Sequence, residues 1–249
     1  MSVQPLRFFQ ARHAEFSALL AAPEEGGGLL ASLLSVAFRH FEDRAREQCR
    51  GAEPIDCRKG CAICCTLRVT ATAPEVLHVA RHLREDSSAE VCVRLVRRLL
   101  AADGLTRDLD EQGRVELRHR CPFIEQGACV IYAVRPLACR GHASHSRRAC
   151  LQAAAGRSAS VPYSVAHRDA RSLVQNALQS ALRDCGLGWV SYELNHALRI
   201  ALSLPEAEGC YLRGEDLFAD AAVHEVPAEE MADGFELIKR IWVGSFAAG

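Results

Sequence analysis

Lysine is nearly absent, standing only at positions 59 and 239, although the chain carries 30 Lys and Arg in all. A basic complement that is almost entirely arginine reflects base composition more than selection for phosphate. Against 31 acidic residues it leaves a net charge of −1, so no polyanion-binding signature exists and no nucleic-acid partner is expected. No stretch approaches the roughly 20 apolar residues of a membrane span. The opening MSVQPLRFFQARHAEF breaks its short apolar pairs with Arg7, Arg12 and His13, and a cytoplasmic protein is expected. Internal repeats and long low-complexity linkers are missing, as are nucleotide loops, flavin fingerprints and any recognisable catalytic pair. What is abundant is cysteine, with twelve in 249 residues. A chain of this length buries a sizeable core without cross-links. In a reducing compartment those thiols point to metal or redox chemistry rather than to disulfides.

The hydrophobic pattern is mainly helical. Leu30, Leu33, Leu34, Ala37, Phe38, Phe41 and Ala45 fall at helical spacing within residues 29–48. A shorter helix is expected at 11–22, with Glu24–Gly28 as the break. Thr72, Pro74 and Glu75 read as a helix start with a capping box; that helix runs to about Leu83, and another follows over 88–102. Residues 115–132 lose the helical period and predict two extended segments joined at Glu125–Gly127, a small hairpin. From Tyr163 the period returns through Ala166, Ala170, Leu173, Val174, Ala177, Leu178, Ala181 and Leu182, stopped by Gly186 and Gly188. Helices are expected at 191–203, 213–221 and 227–242. The expected architecture is a helical protein with an N-terminal arm (1–50), a central cysteine-rich metal-binding region containing the hairpin (51–155) and a C-terminal helical region packing on it (156–249).

Nine cysteines lie in that centre, and all but Cys92 avoid the helical stripes: Cys57, Cys61, Cys64, Cys65, Cys121, Cys129, Cys139 and Cys150. The other four, Cys49, Cys92, Cys185 and Cys210, are scattered and read as small buried hydrophobes. Four thiols in the nine residues CRKGCAICC suit metal ligation, because Gly60 lets the chain turn back and bring soft donors to one ion. Adjacent Cys64 and Cys65 diverge in most backbone conformations. They either serve two centres, or one ligates while the other is a reactive or neighbouring thiol. Eight thiolates fit two four-cysteine sites or one cluster with spare ligands. Arg58, Lys59, Arg68, Arg135 and Arg140 stand where their charges could offset thiolates, and His119, His142 and His145 are candidate substitute ligands. Tyr132, Arg135 and Pro136 are assigned structural work, Pro136 fixing the chain's approach to Cys139.

The chain resembles the YkgJ-type cysteine-cluster proteins, which carry a zinc- or iron-chelating CxxCxxCC domain. The resemblance rests on Cys61-x2-Cys64-Cys65 and on CPFIEQGACVIYAVRPLACRGH, Cys121 to His142, and covers about residues 57–150. The spacing Cys57-x3-Cys61 departs from the family's x2. The resemblance implies metal chelation by zinc or iron, the latter including an iron–sulfur cluster, without deciding between them. Coordination is then expected to supply folding energy to a centre with few apolar positions. An iron–sulfur-dependent oxidoreductase or another redox or group-transfer enzyme is the alternative, favoured by the vicinal pair. The Cys57-x3-Cys61-x2-Cys64 spacing also occurs in radical S-adenosylmethionine enzymes, but helices flank the loop here, Ile63 replaces the usual aromatic residue, and the run Gly26–Gly28 lies on the wrong side of it.

Overall fold

The computed structural model describes residues 3–22, 28–157 and 160–241. The apolar stripe of the second helix shows why it forms. In α2 (Leu29–Gln48), Leu30, Leu33, Leu34, Ala37, Phe38, Phe41 and Ala45 are all buried, while Arg39, Glu42 and Asp43 stay outside that face. α1 (Val3–Ala21) packs with it and buries Phe9 and Phe16. The break at Glu24–Gly28 falls almost wholly outside the described residues.

α3 (Ala73–Glu85) begins as expected. Thr72 caps it, Pro74 sits in the first turn, and Glu75 Oε2 accepts from Thr72 N at 2.7 Å and from Thr72 Oγ1 at 2.9 Å. α4 (Ala89–Thr106) follows, capped by Ser88. α8 (Val165–Asp184) lies against α1 and α2, and α9 (Leu194–Ser203) against α3 and α4. A single apolar core joins residues from all three expected regions, from Phe9 through Val76 and Leu99 to Leu178 and Phe235. Each fully buried Leu or Phe in it contributes about 1.5–3 kcal/mol. α10 (Ala207–Leu212) and α11 (Ala228–Arg240) complete the frame. Among the described residues no helix is long and apolar enough to cross a membrane.

The predominance of helix agrees with the sequence reading, with local corrections. Residues 115–117 are not extended: they end α5 (Glu111–Leu117), which Asp110 caps by accepting from Gly113 N at 2.8 Å. The hairpin is confined to β2 (Ile124–Glu125) and β3 (Ala128–Cys129), with Ile124 opposite Cys129. Gln126 and Gly127 turn between them with φ of 48° and 81°, as a two-residue hairpin turn demands. A second sheet has no counterpart in the sequence reading. β1 (Thr70–Ala71), β4 (Ser191–Glu193) and β5 (Ala222–Val223) pair antiparallel in that order, so 191–193 precede α9 as strand rather than opening it. In place of a helix over 213–221 the chain has α10 earlier and one 3-10 turn at Ala219–Ala221. Such short, two- and three-residue pairings leave no period to read.

Candidate metal centre

Residues 50–69 contain no helix or strand, so hydrogen bonds to other segments set their path. Gly60 takes the expected left-handed turn, φ +91°, open to glycine at no steric cost. Asp56 N donates to Ser144 O at 2.9 Å, Arg147 N to Asp56 Oδ2 at 2.8 Å, and Ser144 N to Cys57 Sγ at 3.3 Å. Together these fasten the first limb of the loop to the start of α7 (Arg147–Ala154), which carries Cys150. The second limb is held elsewhere: Cys121 N donates to Cys65 O at 2.7 Å, and Leu194 N to Val69 O at 2.9 Å.

Cys139 is placed by α6 (Leu137–Gly141). Leu137 N donates to Glu75 Oε1 at 2.6 Å, so the carboxylate that caps α3 also holds the first residue of the Cys139 helix. Burial pushes the Glu75 carboxyl above its ordinary range, against the pull of the donors from Leu137 and Thr72. At the other end of α6 a Cβ on Gly141 would come within 2.6 Å of the Arg171 side chain on α8, a close approach that only glycine allows. Arg140, buried, lies 3.9 Å over the Phe38 ring and donates to Ala133 O, Arg135 O and Glu42 Oε1 at 2.6, 2.9 and 3.0 Å. Its charge is committed to the frame. Arg135 covers the Tyr132 ring at 3.6 Å and donates to Tyr132 O at 2.8 Å, consistent with the structural work expected of that pair.

A cavity of about 750 Å³ opens between these segments, lined by Cys57, Cys61, Cys64, Cys65, Cys121, Cys129 and Cys139. Cys150 does not line it, yet lies close enough for its charge to act on Cys57. Burial pushes the Cys121 thiol up to about 11 and raises Cys129 and Cys139 as well. Cys64 is raised by a hydrogen bond shared with Cys65 and by burial. Cys57 is raised by burial, partly offset by the Ser144 N–H, and raised again by Cys61, Cys64 and Cys150. Protons on such thiols must leave when a metal binds. All twelve cysteines are free thiols. The donor set is one that zinc and iron–sulfur centres use. Among the described residues, however, no three His, Cys, Asp or Glu side chains already stand in a group that could hold an ion, so ligation requires the thiols to be drawn inward.

Of the candidate histidines, His142 lines the cavity, its ring 4.8 Å from that of Tyr163; burial and Arg171 lower its pKa. His145 donates to Pro54 O at 3.2 Å, and neither it nor His119 reaches the cavity. Arg58 and Arg68 border it, Arg68 paired with Glu111 and Glu225. Two lining residues escaped sequence reasoning. Cys49 Sγ lies 3.9 Å from His167 Nδ1, and Ser164 Oγ lies 2.9 Å from that same nitrogen. Cys49 stands apart from the cysteine cluster in the sequence and so read as a small buried hydrophobe; in the structure it caps the C-terminal end of α2 and lines the cavity with Phe41 and Ala45.

Residues 56–158 match the family model CxxCxxCC, described as a "Putative zinc- or iron-chelating domain". This segment is similar to the CxxCxxCC domain. All eight candidate ligand cysteines fall inside it, as do the hairpin, α6 and α7. Comparisons with curated proteins and with solved structures return no match. The match supports metal binding in general, and the flanking helices α2, α8, α9 and α10 pack against elements of the segment.

Proposed function

We propose that the protein binds zinc, or iron as an iron–sulfur centre, through the thiolates of Cys57, Cys61, Cys64, Cys65, Cys121, Cys129, Cys139 and Cys150. The observation that carries this reading is the gathering of thiols from three separated stretches, 57–65, 121–129 and 139, around one cavity. A single buried thiol is an ordinary small apolar side chain, but several thiols around one cavity form the soft donor set that a metal bonds as thiolates. Closing the irregular loop onto the hairpin and α6 would bring the donors into ligating range. Region 51–155 is then the metal-binding unit, cytoplasmic, without a nucleic-acid or membrane partner.

A second reading is an iron–sulfur-dependent redox or group-transfer enzyme. It is favoured by the size of the cavity and by its apolar lining of Phe41, Ile55, Leu67 and Leu194, which leaves room beside the thiols for an organic substrate. Purification without oxygen, followed by an absorption spectrum and elemental analysis, tests both. Brown protein with broad visible absorption and bound iron selects the iron–sulfur form that the enzyme reading needs. Colourless protein with stoichiometric zinc selects a structural or carrier site. Protein that retains neither metal, and takes up neither on reconstitution, sinks the proposal.

A further inference from the structure

The loop Cys57–Leu67 is fastened at two different places. Its first limb is tied through Asp56 and Cys57 to Ser144 and Arg147, at the root of α7. Cys150 follows one turn later, its N–H donating to Ser146 O at 3.1 Å. Its last limb is tied through Cys65 O to Cys121 N. Cys121 leads directly into the hairpin: Ile124 N donates to Cys121 O at 3.2 Å, and Ile124 lies opposite Cys129. Cys139, on α6, lines the cavity together with Cys121 and Cys129. Cys65 belongs to the second fastening, and Cys64 is the last thiol before it. Their thiols share a hydrogen bond, and both line the cavity that Cys57 and Cys139 also line.

Resting on the metal-binding reading above, we propose that the domain holds two metal centres, one ligated by Cys57, Cys61, Cys64 and Cys150 and the other by Cys65, Cys121, Cys129 and Cys139, joined through the Cys64–Cys65 peptide. Each group has the four thiols that a tetrahedral zinc site or one cluster requires. The Cys64–Cys65 peptide joins the limb fastened to α7 with the limb fastened to Cys121, so each of the two adjacent thiols can serve the ion on its own side. On binding Zn2+, each group forms four Zn–S bonds, gives up four protons to solvent, and is left with a charge of −2. Cations are present on both sides. Arg58 and Lys59 lie in the first loop; on the second side the charge of Arg135 acts on Cys129 and Cys139, and those of Arg114 and Arg98 on Cys121.

Zinc counting on the full chain tests the partition. Protein loaded with Zn2+ under reducing conditions and freed of excess is expected to carry two zinc ions by native mass spectrometry. Cys150→Ser and Cys129→Ser are each expected to carry one, and the double variant none. Saturation of the wild type at one ion, or loss of all zinc in either single variant, overturns the two-centre partition while leaving metal binding standing. Failure of the wild type to bind zinc or iron at all overturns the metal-binding reading itself. Because a variant could fail to fold, Co2+ titration of the wild type gives a separate measure: thiolate-to-cobalt charge-transfer absorption should rise to a plateau at two equivalents, and a plateau at one overturns the partition.

Discussion

Cys64 and Cys65 are the residues on which most of the chemistry turns, because a thiol bonded to metal and a free thiol differ sharply in reactivity. If both are ligands, neither should react with an alkylating agent until a chelator strips the ion, and mass-spectrometric mapping of metal-loaded protein should show both protected. Rapid labelling of Cys64 would overturn its assignment as ligand. Labelling of Cys65 alone would make it a free thiol beside a single centre, suited to redox or transfer chemistry. Arg135 acts at one remove: it locks the Tyr132 carbonyl and ring just before the turn that leads to Cys139. A cation over an aromatic face contributes about 0.5–2 kcal/mol. Arg135→Ala is therefore expected to speed metal loss to a competing chelator while the far-UV helical signal is unchanged. Equal loss of both would assign Arg135 to the general fold.

At the scale of elements, α6 is short, five residues, and owes its position to its two ends: Glu75 holds Leu137, and Gly141 lets it touch α8. Gly141→Ala must push α6 off Arg171. Overpacking of this kind costs about 1–3 kcal/mol, and the shift moves Cys139, so the variant should melt earlier and hold metal less tightly. Normal zinc retention in a folded variant would show that Cys139 is not held by this contact. The sequence made the capping box of α3 legible because Thr72, Pro74 and Glu75 are neighbours; the second task of Glu75, bonding Leu137 across 62 positions, leaves no local trace. The same distinction separates α2 and α8, whose long stripes could be read, from β1, β4 and β5, whose pairing is set by distant partners. It also separates the eight clustered cysteines from Cys49 and His167, which meet only through the fold. Asp184 is another such long-range junction, accepting from Lys239 Nζ at 2.8 Å and lying 2.8 Å from His13 Nε2, so that it ties α8 to α11 and α1. Burial pushes its carboxyl up, but Lys239 and His13 outweigh that and hold it below the usual range. A depressed carboxyl stabilises the fold above its unfolded pKa, about 3.9, and loses that contribution as pH falls through the folded value. Because the group is partly exposed, Asp184→Asn is expected to cost only about 0.5–1 kcal/mol at pH 7. In urea titrations its deficit should vanish in acid below the folded pKa; an equal deficit there would assign the loss to packing.

For the whole molecule, the open question is whether metal holds the fold or the fold holds the metal. The sequence suggested the former, since a centre with few apolar positions gains its folding energy from coordination, as zinc fingers do. The structure divides that centre. Its helical half contributes Val76, Leu77, Val79, Ala80, Leu83, Leu95 and Leu99 to the common core, whereas residues 50–69 add a few hydrogen bonds, the Arg68 ion pairs and partly buried Val69. Hydrophobic burial supports α1 to α4, α8 and α9 without help from ligation. Local stability is accordingly uneven, and segments with few buried apolar contacts open first. Chelation of the full chain under reducing conditions is thus expected to leave most of the far-UV helical signal in place while lowering the melting temperature. Amide exchange should accelerate over residues 50–69 and 119–131, and change little in α2 and α8. Collapse of the helical signal on chelation, with uniform exchange across the chain, would show instead that the frame itself depends on the metal and that the two halves of the centre fold as one unit.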